Sequence, residues 1–394
     1  MTTAPVNPNP RRAGFDYFLI AVFLLLLGAP ALDKIFHLDQ SRAAGENRLP
    51  APPPDVAELR DGHMQKYLAA GEAYFNDHFG FRNQMIRWFQ NWKLGLFHDR
   101  SVYKVIVGPN RWLFIGEERM VEHFLGIAKF TPAELSAWQK LLEHRRDWLA
   151  AHGIKYLFVV PPDKQDIYPE ELPTWLRNAV PAGRATKLDQ FVKFMREHST
   201  VEIVDLRATL LDGKKNMPTY LQNDTHWNLF GGFLACQQVV GALEKQLPNL
   251  PPMRTEDFAW TNAPMVGGDL AKMLGTDAPE KNNFKFIAQP GVSLPAVHET
   301  TNLVSNWDPH KSCAISDNAA PLTESAMVFH DSFGMFWRPM LGCCFKRVWF
   351  MSDNREFNTR AVLENHPSVV INEILERYFN NADPVQLMAH DSLP

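Results

Sequence analysis

From Thr131 to Ile371, short apolar runs of strand length alternate with longer stretches of helical periodicity, and this alternation restricts the fold more than any other feature of the chain. Thr131-Pro132-Ala133-Glu134 is a capping box with proline at the first helical position, and Gly153 stands where that helix should stop, which predicts a helix over about 132–151. A strand is expected at 155–160, a helix at 185–197, a strand at 201–206 and a helix at 229–245. Three more apolar strands are expected at 327–329, 347–350 and 369–371, two of them followed by helical patterns. Such an order implies a three-layer α/β/α domain, flavodoxin-like in outline, whose sheet is mostly parallel and covered by helices on both faces. In sheets of this kind ligands bind beyond the carboxyl ends of the strands. The loops after the expected strands are polar: Pro161-Pro162-Asp163-Lys164, the Asp224 segment beyond Leu206, Ser332, and Ser352-Asp353-Asn354-Arg355.

The remainder of the chain is organised around this domain. Arg11-Arg12 precede an uncharged, mostly apolar stretch from Tyr17 to Leu32, which Asp33-Lys34 end. With Ile35, Phe36 and some tilt it completes one membrane helix, and the positive-inside bias places the chain beyond it outside the cytoplasm. Ala29-Pro30-Ala31 also has the character of a signal-peptidase site, so an uncleaved anchor and a removed signal peptide both stand; either exports the domain. Residues 1–36 are therefore expected to be a cytoplasmic tail and membrane segment, and 37–60, with Pro52-Pro53-Pro54, a stiff spacer. The domain is expected over 61–385, with 251–325 as an irregular insertion able to cover the site and 386–394 as a tail. Aromatic and apolar residues recur at helical spacing from Tyr67 to Trp92, a pattern that reads as core packing, and two strands are expected around the turn Gly108-Pro109-Asn110. A net charge of −4 without a long basic run leaves no footprint for nucleic acid. The four cysteines form no C-x-x-C pair, and disulfides among them are open in an oxidising compartment, although adjacent Cys343 and Cys344 are unsuited to bond each other.

Two clusters far apart in the chain supply the parts of a serine acyl-transfer site: Asp224-Thr225-His226-Trp227 and His330-Asp331-Ser332-Phe333-Gly334. A serine needs a base to take its proton, and an imidazole needs a carboxylate to fix its tautomer. Asp224 and His226 do this locally, while Ser332 sits just past the apolar run 326–329, where Gly334 permits a sharp turn. The order Asp, His, Ser excludes nothing, because triads occur in several orders. Each residue also has an ordinary structural reading: Asp224 as the N-cap of the next helix, Ser332 as a cap after its own strand. A metal site built from Asp224, His226, His330 and Asp331 is a further reading, weakened because His330-Asp331 at a strand end point alternately. His330 and Asp331 fit better as turn-formers or as partners behind the site. Lys164 and Arg355 are candidate substrate binders or structural ion pairs, and Trp227 is a candidate sugar-stacking face or a core residue.

Tyr74-Phe75-Asn76-Asp77-His78-Phe79-Gly80-Phe81-Arg82, then Val105-Ile106-Val107-Gly108 leading to Trp112-Leu113-Phe114, then Val160-Pro161-Pro162-Asp163-Lys164 with Ile167-Tyr168-Pro169, resemble the AlgJ/AlgX family of alginate O-acetyltransferases, whose domains are SGNH-hydrolase-like. Asp224-Thr225-His226-Trp227 and Asp331-Ser332-Phe333 fall where that family carries its Asp-x-His and its nucleophilic serine. The resemblance covers about 74–379. It implies catalytic Asp224, His226 and Ser332, no cofactor or metal, a periplasmic setting at the inner membrane, a polysaccharide acceptor, and acetyl groups supplied by a multi-spanning membrane O-acyltransferase working with other exopolysaccharide export proteins. Little chain lies beyond the last expected strand, so the C-terminal carbohydrate-binding module of AlgX is expected to be missing and the likeness is closer to AlgJ. The acceptor is then alginate or another exopolysaccharide. Two other functions fit the same residues: a carbohydrate acetylesterase that uses water in the second step, and a non-catalytic polysaccharide-binding subunit that keeps the fold.

Overall fold

The computed structural model describes residues 10–36, 38–39, 51–82, 84–85, 88, 101–102, 104–117, 119–300, 313–352 and 357–391. The chain divides into two compact units, one of 1–99 with 272–276 and one of 100–271 with 277–394. In the first, a helix runs over Pro10–Phe36, and its segment 15–36 is long and apolar enough to cross a membrane. At 1.5 Å per residue those 22 residues reach roughly 33 Å, about the thickness of a hydrocarbon core. The helix Met64–Asp77 buries none of its side chains, and Leu68, Phe75 and Trp88 are exposed. The core packing expected of this aromatic stretch is therefore not what these three residues do; Trp92 and Phe89 lie outside the described residues.

The second unit is built on one seven-stranded sheet. Its strands are β1 (Lys155–Val160), β2 (Ile203–Asp205), β3 (Ala296–Thr300), β4 (Cys313–Asp317), β5 (Ser325–Phe329), β6 (Arg347–Met351) and β7 (Val369–Glu373). The spatial order is β3-β4-β6-β5-β7-β1-β2. All pairings from β6 to β2 are parallel, while β4 runs antiparallel to both β6 and β3. The sheet is thus mostly parallel, with an antiparallel edge.

Side-chain alternation explains the layers. Leu157, Val159, Val328, Phe350 and Ile371 point to one face and join a core with Phe233, Val239, Val240 and Leu243 of the helix Leu229–Leu243. Phe158, Val160, Phe329, Trp349 and Val370 point to the other face, against Trp138, Leu141 and Leu142 of the helix Pro132–Ala151 and Leu188, Phe191 and Met195 of the helix Lys187–His198. Burying both faces is why these strands read as continuous apolar runs. The helix Pro132–Ala151 begins with the full Thr131/Glu134 capping box, and Gly153 lies just past its end with φ +73°.

Two parts of the unit differ from the sequence reading. The hairpin around 108–110 is the larger part of a three-stranded antiparallel sheet, in which Val105–Val107 pairs with both Ser101–Val102 and Leu113–Ile115. The stretch 251–325, expected to be irregular, contains the paired strands Phe258–Asn262 and Phe284–Ala288, the short pair Met265–Val266 and Pro279–Glu280, and β3 and β4 of the main sheet. Short strands with scattered Pro, Asn and Gly lack a clean period of two, so the pattern was not legible. All four cysteines are free thiols.

Candidate active site

Ser332 stands three residues beyond the end of β5, on a turn pinned from both neighbouring strands. The His330 N–H donates to Met351 O at the end of β6 (3.0 Å), and the Asp331 N–H donates to Glu373 Oε2 at the end of β7 (2.8 Å). The Asp331 carboxylate in turn accepts from the N–H groups of Phe333 and Leu375, each at 2.9 Å. Burial pushes the Asp331 carboxyl up, partly offset by those two N–H groups. Burial and then the Asp331 charge push Glu373 well above the usual carboxylate range, so this buried pair keeps a proton. Burial pulls His330 down to about 4, leaving a neutral ring whose Nδ1–H donates to Asp331 O. His330 and Asp331 therefore hold the turn.

Gly334 is required here for close approach. A Cβ on it would lie 2.4 Å from His330 Cβ and 2.6 Å from its Cγ, while its own φ is not positive. The sharp-turn role expected of Gly334 thus gives way to a space requirement.

The second cluster lies on the loop that precedes the helix Leu229–Leu243. Asn228, not Asp224, caps that helix, accepting from Gly231 N at 2.9 Å. Asp224 is thereby left to its neighbours: Oδ1 accepts from His226 Nδ1 at 2.6 Å and from the His226 backbone N–H at 3.0 Å. The other ring nitrogen, Nε2, lies 2.7 Å from Ser332 Oγ. Burial opposes ionisation of Asp224, but the hydrogen bond and charge of His226, with the N–H groups of Asp269 and His226, hold its carboxyl well below the usual range. Ser332 does not cap the short turn of helix after it, which starts at Gly334 without a side-chain cap. The structure brings Asp224, His226 and Ser332 into one hydrogen-bonded row. Phe333 packs against the imidazole with ring centroids 4.9 Å apart, and Phe336 stacks on it at 5.7 Å.

The other sequence candidates are placed differently. Lys164 is 2% exposed, and its Nζ donates to the carbonyl oxygens of Leu113 (2.6 Å), Gln222 (2.9 Å) and Asp224 (2.9 Å). Burial pulls the amine down to about 7, while the carboxylates of Asp224, Glu280 and Asp269 favour the ammonium, the form that uses all three donors. Lys164 is a brace between the 105–115 hairpin and the Asp224 loop, which corrects its assignment as a substrate binder. Trp227 is also corrected: it is fully buried, and its Nε1–H donates to Phe333 O at 3.1 Å, tying the two clusters together from beneath. Arg355 lies outside the described residues.

The sequence reading missed Asp269 and Glu280, both in 251–325. Glu280 accepts from the N–H groups of Gln222 (2.9 Å) and Asn223 (2.7 Å). Asp269 accepts from Thr225 N (2.8 Å) and Thr225 Oγ1, and its own N–H donates to Asp224 Oδ2 (2.9 Å). The one local signal was Gly267-Gly268 before Asp269: Gly268 has φ +150°, and a Cβ there would lie 2.3 Å from Asn223 O.

Among the described residues, two groups present ligand-type atoms within 4.8 Å of one another, Asp224/His226/Asp269 and His123/Asp166/Glu376. In the first, both imidazole nitrogens and the carboxylates are engaged by the hydrogen bonds just described. In the second, the His123 ring bonds Glu376 Oε1 (3.0 Å) and Arg184 pairs with Asp166, so the cluster is charge-balanced by side chains. Hydrogen bonding accounts for both arrangements, and His330 belongs to neither.

Residues 105–293 match the model of the SGNH hydrolase-like domain of the acetyltransferase AlgX, a segment that holds Lys164, Asp224, His226 and Asp269, with Ser332 beyond it. Proteins named probable alginate O-acetylase AlgJ are similar in sequence: that of Pseudomonas syringae pv. tomato is 26% identical over 183 residues, covering 46% of this chain and 44% of that protein. That of Pseudomonas putida is 28% identical over 174 residues, covering 44% and 42%. The matched region is thus less than half the length of these relatives. Bacillus cereus PatB1, solved with a sulfonyl adduct, superposes with a TM-score of 0.53 at 16% identity, over 74% of this chain and 100% of that one, a likeness of fold. These sequence matches support an AlgJ/AlgX-like SGNH hydrolase-like domain over the segment 105–293.

Proposed function

We propose that the protein is an O-acetyltransferase that moves acetyl groups onto hydroxyls of an exopolysaccharide, alginate or one like it, through an acetyl-serine intermediate. The observation that carries this is the row Asp224 Oδ1–His226 Nδ1 at 2.6 Å and His226 Nε2–Ser332 Oγ at 2.7 Å. In the first step Ser332 Oγ attacks the acetyl carbonyl carbon as its proton passes to His226 Nε2. The Ser332 N–H, which has no hydrogen-bond partner among the described residues, is free to donate to the tetrahedral oxyanion. Collapse breaks the bond to the leaving group, which takes the proton from His226, and acetyl-Ser332 remains. In the second step an acceptor hydroxyl gives its proton to His226 and attacks the acetyl carbon; Ser332 leaves and recovers that proton. Asp224 holds the imidazole tautomer and its developing charge.

The apolar helix within 15–36 supports tethering at the inner membrane with the catalytic unit in the periplasm, or export after cleavage. Acetyl groups then arrive across the membrane from a membrane-embedded O-acyltransferase, and the other export proteins of the polysaccharide are the neighbouring partners. The names of the sequence relatives support alginate as the acceptor class. An acetylesterase reading is favoured by one observation: His226 keeps 19% of its side-chain surface exposed, so water reaches the base.

Intact-mass analysis of the catalytic unit with a chromogenic acetyl ester, with and without alginate oligomers and beside Ser332→Ala, tests the assignment. Acetylated oligomers that require Ser332 are expected. Acetate release without transfer would favour the esterase, and turnover undiminished in Ser332→Ala would remove Ser332 from the mechanism.

A further inference from the structure

We propose that Asp269 is a positioning residue of the acyl-transfer site, fixing the Asp224–Thr225–His226 loop and giving the imidazole a second carboxylate neighbour. This rests on the triad reading above and extends it to a residue contributed by 251–325. Four contacts converge. The Asp269 carboxylate takes both the backbone N–H of Thr225 (2.8 Å) and its hydroxyl. The Asp269 N–H donates to Asp224 Oδ2 (2.9 Å), the oxygen that His226 does not use, and so orients the triad carboxylate. Asp269 Oδ2 also lies 3.8 Å from His226 Nδ1, too long for a hydrogen bond but close enough for its charge to act on the ring.

The packing leaves this geometry little latitude. The N–H of Ala271 donates to Asn223 O (3.1 Å), and Gly268 approaches Asn223 and Asp224 where a side chain would not fit. Burial and the charge of Asp224 push the Asp269 carboxyl up, against the Thr225 hydroxyl, the His226 charge and the Thr225 N–H, which favour its ionised form. The groups facing the imidazole are Asp224 and Asp269 from one side, Ser332 from the other, the Thr225 hydroxyl 3.3 Å from Nδ1, and the rings of Phe333 and Phe336. Lys164 is the cation behind Asp224. When His226 takes the serine proton, two carboxylates rather than one stabilise the imidazolium.

The test is the nitrogen-15 NMR signature of the His226 ring at one fixed pH in the full chain, for the unchanged protein, Asp269→Asn and Asp269→Glu, alongside steady-state kinetics on an acetyl ester. Asp269→Asn is expected to shift the ring-nitrogen signals and to lower kcat about tenfold with KM within about twofold, and Asp269→Glu should restore both at least in part. Unmoved ring-nitrogen signals in folded Asp269→Asn would overturn the proposal. The signals read the Asp269–His226 contact even if the protein proves not to transfer acetyl groups, so failure of the triad reading shows separately, as turnover that does not depend on Ser332.

Discussion

His226 Nε2 and Ser332 Oγ lie 2.7 Å apart although 106 residues separate them in the chain. The contact exists because β5 delivers Ser332 to the carboxyl edge of the sheet, while the Thr219–Asn228 loop is folded over that edge by Lys164, Glu280 and Trp227. One strand tip and one braced loop therefore make the site, and each of its supports can be tested.

The row itself makes the first prediction. Ser332→Ala and His226→Ala should each lower acyl turnover by about ten-thousandfold or more, and the double variant should lose little beyond either single one, because the residues act as a unit. Asp224→Asn should cost on the order of a thousandfold or more, since the wrong imidazole tautomer would face Ser332. Single-turnover kinetics with an acetyl ester measure all four variants. Additive losses in the double variant would argue against a common pathway.

Lys164 provides a prediction that separates bracing from substrate contact. Lys164→Met leaves the carbonyls of Leu113, Gln222 and Asp224 without their donor and should destabilise the protein by about 2–4 kcal/mol. Turnover should fall through kcat with KM for the acceptor little changed, as read by urea unfolding and acceptor titration. A normal unfolding midpoint with a raised acceptor KM would return Lys164 to the substrate.

Gly334→Ala should damage activity more than stability. The added methyl would press on His330 Cβ and ring from 2.4 to 2.8 Å, and relief requires His330 or the Ser332 turn to shift. If Ser332 is the nucleophile, as proposed, a displacement of about 1 Å there is enough for roughly a hundredfold loss of rate. The expected result is a large drop in Ser332 acylation with a melting temperature lowered by only several degrees; unchanged acylation would show that the turn relaxes elsewhere.

The buried pair His123–Glu376 should make stability fall in mild alkali. Burial works to lower the His123 pKa, but the hydrogen bond and charge of Glu376, with the charges of Asp163 and Asp166, raise it to about 9. A folded pKa above the unfolded value of about 6.5 means the stabilisation is fully present below about 6.5 and is lost as pH rises through about 9. Urea unfolding of the unchanged protein and of His123→Gln across that window should show a stability gap that narrows as pH rises. A constant gap would mean that the pair is held as neutral groups.

The order of residues alone carried the local part of this fold. Periods of two and 3.6, the Thr131 capping box and the apolar runs after Lys155 and before His330 specify strands and helices through interactions between near neighbours, and their alternation is enough to imply the layered parallel sheet. Asp224 and His226 were legible because the carboxylate reaches the imidazole from two residues away. Packing in three dimensions settled everything that depends on which distant group comes to lie beside which. It turned Lys164 and Trp227 inward as supports, made Gly334 a matter of room for His330, and set Asp269 next to Asp224 from a stretch whose short strands have no readable period. Lysine, tryptophan and aspartate carry the same side chain whether they meet solvent or a buried partner, so their roles are assigned by the neighbours that the folded chain brings to them.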